Sequence, residues 1–251
     1  FSRRRRQTRL GRWSRGLGDV YKRQVVPVLR AADPWTRGRR AGVRVVNDLE
    51  RPRNVFLTGV GGHGVLAVSR VIAEAALARG FDVRRSEVHG MSQRGGSVVS
   101  QVRYGARVHS PLIARGAADI LVSLELLEAM RHLHALRSDG VLLANEQRIT
   151  PAPMGELTVA YPDDPRGVCE QRVGRAIFLP ALDIARELGE EKAANMVMLG
   201  AYSVLAPEIP ETTWLETIAT AFRPRFRELN VAAFGSGRDV ALRSAGAGAA
   251  P

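Results

Sequence analysis

The stretch Asn54–Glu87, NVFLTGVGGHGVLAVSRVIAEAALARGFDVRRSE, changes hydrophobic period twice, and those changes decide the fold. Asn54–Thr58 is a short apolar run that stops at Gly59, as a buried strand does. Gly59-Val-Gly-Gly-His-Gly64 cannot continue either a strand or a helix. From Val65 to Arg79 the apolar residues recur at helical spacing: Val65, Val68, Ile72 and Ala76 form a stripe that Leu66, Ala73 and Leu77 widen. Gly80 closes that helix, and Phe81–Glu87 reads as a second strand. A strand–helix–strand opening predicts an α/β domain, a mainly parallel sheet flanked by helices, with a Rossmann-like start and a right-handed crossover.

Gly59-x-Gly61-x-x-Gly64 fits the dinucleotide fingerprint and stands where that fingerprint must, between a strand and a helix. Together with Gly62 it would let a phosphate approach the free N–H groups of the helix N-terminus. Glu87 is the candidate acid for a ribose. The alternative is mechanical: the glycines allow a tight turn and close strand–helix packing, with no ligand involved. No Gly-Lys-Ser/Thr ending follows, so a Walker-type ATP site is not expected.

A second polar segment follows at once. Ser86–Gly105, SEVHGMSQRGGSVVSQVRYG, ends one strand, passes through the loop His89–Gly96 and starts a strand over Ser97–Tyr104. The loop HGMSQRGG has more hydrogen-bonding groups than a turn requires. Arg94 offers a fork of donors to an anion, Gly95 and Gly96 permit close backbone approach, and His89, Ser92 and Gln93 add neutral donors and acceptors. An ordinary solvated connection is the competing reading.

EVHGMSQRGGSVVSQVR, with TGVGGHGVLAVSRVIAEAAL upstream, resembles the gamma-type domain of the 2-oxoacid:ferredoxin oxidoreductases. Within that family it is similar to the beta subunits of the indolepyruvate enzymes. The resemblance runs from about Asn54 to Phe234. It implies a small, non-cofactor subunit of an enzyme that oxidatively decarboxylates a 2-oxoacid to an acyl-CoA. Thiamine diphosphate, magnesium and iron–sulfur clusters would sit in a larger partner subunit, coenzyme A would be co-substrate, and electrons would pass through that partner to ferredoxin. Beside that partner, the donors and acceptors of the loop lead to the hypothesis that His89, Ser92, Gln93, Arg94, Gly95 and Gly96 line the edge of its active site and contact the 2-oxoacid or coenzyme A, with no catalytic or metal-binding residue expected in this chain itself. The family usually carries Gln where His63 stands. A stand-alone dinucleotide-binding protein using Gly59–Gly64 is the alternative function.

The net charge of +12 suggests nucleic acid until it is located. Residues 1–53 hold 16 Lys and Arg against 4 Asp and Glu, leaving 21 of each sign for the rest. The expectation is therefore a disordered or non-native basic extension over 1–53, whose Gly16–Gln24 looks like translated read-through, ahead of a neutral domain over 54–235. An Arg-rich nucleic-acid arm is the competing reading of that extension, and a nucleic-acid partner is not expected for the domain. No apolar stretch of about 18 residues is present, so no membrane span is expected. Cys169 is the only cysteine; it cannot hold a cluster alone, and a single thiol fits the reducing cytoplasm.

Further along, Ala118–Leu124 reads as a central strand, followed by a helix from Glu125 with Glu128 in its first turn. His132 and His134 face different sides of that helix and make a poor metal pair. Asp139-Gly140 turns into a strand over Val141–Asn145 and lacks the partner sequence of a thiamine motif. Val108–Pro111 and Leu157–Ala160 are expected as short strands, and Asp163 and Asp164 as solvated turn residues, with Cys169 in a loop. The stretch 193–206 is apolar nearly all round, so it must be buried centrally or against a partner, which suggests a subunit stable only in complex. Asn195 inside it is expected to bond a neighbouring loop. Thr213-x-x-Glu216 reads as a capping box, and a last helix opens at Pro224 with Phe226, Leu229 and Ala233 inward. Gly235 is expected to end the fold, with 236–251 a loose tail.

Overall fold

The structure is a computed structural model that describes residues 49–89, 95–150 and 160–247. In chain order these form β1 (Arg53–Val60), α1 (Val65–Ala78), β2 (Asp82–His89), β3 (Ser97–Gly105), β4 (Ala118–Ser123), α2 (Leu126–His132) and β5 (Leu136–Asn145). Then come α3 (Pro165–Arg172), β6 (Arg175–Leu179), α4 (Ala181–Glu187), α5 (Ala194–Val204), α6 (Glu211–Ala221) and α7 (Arg227–Ala247). Among the described residues the strands make one six-stranded sheet in the order β2-β3-β1-β4-β5-β6. β1, β4, β5 and β6 are parallel, whereas β3 is antiparallel to both β1 and β2.

The α/β class and the mainly parallel sheet agree with the sequence. The opening unit differs in one respect: β2 does not lie beside β1, because β3 doubles back and occupies the place between them. A long, alternating strand joined to β2 by a short loop pairs as a hairpin before anything more distant can claim its edge. β3 alternates cleanly, with Val98, Ser100, Val102 and Tyr104 buried. β4 is buried throughout, as a strand covered on both faces must be.

The two faces carry separate cores. Phe56, Leu121, Leu142 and Ala144 pack under α2 and α3 on one side. Val55, Leu57, Ile120 and Leu143 pack under α1, α4, α5, α6 and α7 on the other. Alternate residues of β1 thus point to opposite faces, as the period of a strand requires. In α1 the predicted stripe is buried except for Leu66, which is half-buried, and Leu77, which is exposed, while Val71 and Ala75 are buried in addition.

The apolar helix 193–206 resolves into a short 3-10 turn and α5, and its own chain buries it. α7 crosses it so closely that a Cβ on Gly200 would meet the Phe234 carbonyl oxygen at 1.9 Å. A Cβ on Gly237 would meet the Val197 carbonyl oxygen at the same distance. No partner is needed to cover α5, so that helix gives no reason for a subunit stable only in complex.

α7 passes through Gly235, the expected end, and runs to Ala247. Arg238 explains part of that length: its Nε lies 3.0 Å from Glu211 Oε2 and its Nη1 donates to Ser203 Oγ at 3.0 Å, tying α7 to α5 and α6. Ala241, one turn further, is buried. The expected basic extension lies almost wholly outside the described residues, as do residues 157–159 of the expected strand Leu157–Ala160.

Several local expectations change. Thr213 is inside α6 and its side chain caps nothing; the helix starts after Pro210, whose carbonyl accepts from the N–H groups of Thr213 and Trp214. Phe226 is exposed beneath the Arg225 guanidinium. Val108 to Pro111 form no strand. Asp164 caps α3 by accepting from the Gly167 N–H at 2.8 Å, so Cys169 lies on a helix and not in a loop. There Cys169 is fully buried, and burial pushes its thiol up to about 11. Alkylation of the native protein with iodoacetamide at pH 8 should therefore be at least about tenfold slower than after denaturation, and equal rates measured by mass spectrometry would contradict this burial.

Candidate functional site

The two glycine-rich segments converge at one end of the inner strands β1 and β3. β1 ends at Val60, opposite Ser97 at the start of β3, and the pairing continues past both strands. The Gly61 N–H donates to the Gly96 carbonyl at 2.8 Å, and the Gly95 N–H donates to the Gly61 carbonyl at 3.4 Å. Gly59, Gly61, Gly62 and Gly64 are thereby joined to Gly95 and Gly96. Space and conformation explain the glycines. Gly62, Gly64 and Gly95 have positive φ, which side chains resist. A Cβ on Gly59 would lie 2.8 Å from Val65 and 3.1 Å from Leu124, so that glycine serves strand–helix packing.

His89 ends β2, with its backbone paired to Val98. Its side chain and residues Gly90–Arg94, with them Ser92, Gln93 and Arg94, lie outside the described residues. Glu87, the candidate ribose acid, stands on the edge strand two strands from β1 and pairs with Arg85 at 3.1 Å. Two strand spacings are about 10 Å, so the usual dinucleotide pairing of first glycine loop and second-strand acid is not formed.

Beneath the junction sits α2, with two buried carboxylates that the sequence presented only as dipole partners. Glu125 caps the helix by accepting from the Glu128 N–H at 2.8 Å. Its other oxygen accepts from the Ile149 N–H at 3.1 Å and the Tyr161 hydroxyl at 2.5 Å. Burial first, and then that bond, holds the Tyr161 phenol well above its usual range. Glu128, 2% exposed, accepts from Thr58 Oγ1 at 3.3 Å, from Ser97 Oγ and from Arg131 Nη1 at 2.6 Å. His132 Nε2 lies 3.5 Å from the same carboxylate. Burial alone would raise this group, but the contacts with His132, Ser97 and Arg131 outweigh it and hold the carboxyl at about 2. Glu128 is thus charged at any physiological pH. The apolar run before Glu125 concealed both acids, since nothing local signals that a first-turn glutamate is covered by another strand.

On the other side of the glycine loop a cavity of about 260 Å³ opens, lined by Gly62, His63, Gly64, Asn145, Lys192 and Asn195 among others. It lies at the carboxyl ends of the parallel strands, where open α/β sheets place ligands. Asn145, 2% exposed, closes its floor: Nδ2 donates to the Leu124 carbonyl at 3.3 Å and Oδ1 accepts from the Ala181 N–H at 3.1 Å. Asn195 packs on Gly64 of the neighbouring loop, where a Cβ would fall 2.0 Å from its Nδ2, but among the described residues its amide makes no hydrogen bond to that loop, contrary to expectation. The site offers amides, His63, one lysine and the Glu191 carboxylate, a polar set suited to binding amide or carbonyl groups. Among the described residues no cluster of His, Cys, Asp and Glu is arranged to hold a metal, and no helix is long and apolar enough to cross a membrane.

Comparison with known proteins places this arrangement. The pattern of the pyruvate ferredoxin/flavodoxin oxidoreductase family matches residues 54–240. The indolepyruvate oxidoreductase subunit IorB of Thermococcus kodakarensis is 34% identical over 198 residues, 77% of this chain and 98% of that protein. The subunit of the same name from Archaeoglobus fulgidus is 39% identical over 149 residues, 59% of this chain and 74% of its own. In fold, the gamma subunit of a keto/oxoacid ferredoxin oxidoreductase from Geobacter sulfurreducens superposes with a TM-score of 0.59 at 24% identity, covering 76% of this chain and 99% of that one. A 2-oxoglutarate:ferredoxin oxidoreductase from Magnetococcus marinus, solved with 2-oxoglutarate, coenzyme A and succinyl-CoA, gives 0.61 at 22% identity, covering 78% of this chain and 32% of that one. The chain belongs to the pyruvate ferredoxin/flavodoxin oxidoreductase family, as a small subunit of a 2-oxoacid:ferredoxin oxidoreductase.

Proposed function

We propose that this subunit serves an indolepyruvate- or arylpyruvate-type enzyme in the cytoplasm, and that its HGMSQRGG loop borders the active site of a larger partner subunit. The names of its relatives support the substrate class. Support for the loop comes from one observation: the backbone pairing of Gly61 with Gly95 and Gly96 roots the loop beside the glycine turn at the carboxyl end of β1. Thiamine diphosphate, magnesium and the iron–sulfur clusters belong to the partner in this reading, because a single, fully buried thiol cannot supply cluster ligands. Ferredoxin is reduced by that partner, and coenzyme A is the acyl acceptor. The stand-alone dinucleotide reading is weakened by β3, which separates Glu87 from the glycine loop.

Arg94 is the residue on which this reading turns. A charge-assisted bond to a carboxylate or phosphate is worth about 1.5–3 kcal/mol. Arg94→Ala should therefore raise a KM or lower turnover by about tenfold or more. The complex is obtained by coexpression with the large subunit and its assembly checked by size exclusion. Steady-state rates with indolepyruvate and with coenzyme A then decide: an assembled variant with wild-type kinetics for both substrates removes the loop from the site.

A further inference from the structure

We propose that Glu128 is a positioning residue, whose buried carboxylate sets where the Gly95–Gly96 arm of the HGMSQRGG loop sits; its kinetic consequence rests on the function proposed above. The loop has two arms with unequal support. The incoming arm is the end of β2, an edge strand that pairs only with β3, and Val88 within it is 57% exposed. The outgoing arm is gripped from both sides. Gly61 holds its backbone through two hydrogen bonds, and Glu128 holds Ser97, the next residue, through the hydroxyl.

The choice of group matters. A neutral acceptor would suffice to bond one serine, and an ionised carboxylate is costly to bury. Glu128 instead gathers donors from three elements: Thr58 at the end of β1, Ser97 at the start of β3, and Arg131 in α2. These donors meet where β1 turns into the glycine loop and where the chain leaves the HGMSQRGG loop. Charge-assisted bonds are short and directional, so the carboxylate fixes the relative position of both segments. The α2 turn that carries it is itself held, because Glu125 caps the Glu128 N–H. A shift of Ser97 would be passed directly to Gly96 and Gly95, and misplacement by about 1 Å can cost a site one to two orders of magnitude in rate.

Ser97 is exposed, so its hydroxyl can be removed with little harm to the core. The test uses the coexpressed complex carrying Ser97→Ala, Ser97→Thr, Glu128→Ala, or Ser97→Ala with Glu128→Ala. Hydrogen exchange of the Gly61 and Gly95 amides reads the placement of the arm, α5 amides serve as the control for global stability, and kcat and KM for indolepyruvate and coenzyme A read the consequence. Ser97→Ala should speed exchange at Gly61 and Gly95 by about tenfold with α5 unchanged, and lower kcat/KM by roughly fivefold to tenfold. Ser97→Thr should restore both. The double variant should be no worse than Glu128→Ala alone, since alanine leaves no acceptor for the Ser97 hydroxyl and the two residues act through one contact. Wild-type exchange at both glycines in Ser97→Ala would overturn the proposal, as would effects of the two substitutions that simply add. Faster exchange with unchanged kinetics would leave the positioning role standing and overturn the functional reading of the loop instead.

Discussion

Gly237→Ala is expected to be, with Gly200→Ala, among the most damaging single-methyl changes in the described residues. The new Cβ would lie 1.9 Å from the Val197 carbonyl oxygen and 2.6 Å from its carbon, both backbone atoms of a fully buried helix. No rotamer change relieves a contact with main chain, so α7 must move away from α5. The reciprocal contact of Gly200 with Phe234 would be lost in the same movement. Overpacking of this kind costs about 3 kcal/mol or more, which for a domain of this size lowers Tm by roughly 6–12 °C. Gly235, two residues earlier on the same helix, is the control: a Cβ there meets nothing within 4 Å. Gly235→Ala should leave stability unchanged or raise it by the ~0.4–1 kcal/mol that comes from restricting the unfolded chain. Thermal unfolding of the two variants side by side is decisive, and equal Tm values would mean that the helices do not cross as described.

Gly64→Ala should be nearly as costly, for two reasons that can be separated. Its φ of +86° strains any side chain, and its Cβ would fall 2.0 Å from Asn195 Nδ2. Strain and collision together amount to about 2–4 kcal/mol. Asn195→Ala removes the amide and leaves only the Asn195 Cβ, 3.3 Å from the new methyl. The double variant should therefore recover roughly half of the loss, the collision but not the strain. Strictly additive losses in denaturant unfolding would show that Asn195 does not pack against the glycine loop.

Much of this was legible because it depends on local chemistry. The period changes in Asn54–Glu87 gave β1, α1 and β2, and the unbroken apolar run Ala118–Leu124 gave the central strand. Burial of 193–206 was equally plain, but what covers it was not. α7 runs through Gly235, which reads as a stop, and only the close approach of α5 at Gly237, two residues on, shows why the helix continues there. Thr213-x-x-Glu216 misled for the opposite reason: Pro210 starts the helix earlier, so the motif falls where the backbone no longer needs a cap. In the candidate site, the glycines were identifiable from their spacing. Glu128 was not, because its meaning comes from Thr58, 70 residues away in sequence, and Ser97, 31 residues away. Insertion of β3 between β1 and β2 removed the ribose acid, a non-local event that no fingerprint records.

The double pairing of β3 also determines where this protein tolerates changes of length. Ser97 is matched to Val60 and Tyr104 to Arg53 on one side, while Val98 is matched to His89 and Gly105 to Asp82 on the other. One residue added or removed between Val98 and Tyr104 would put both ladders out of step and turn buried side chains outward. The same change between Gly90 and Arg94 disturbs neither ladder, since both begin beyond it. Length variation is thus steered to the stretch between two strands whose pairing is fixed on either side of it, where it can accumulate without renegotiating the sheet.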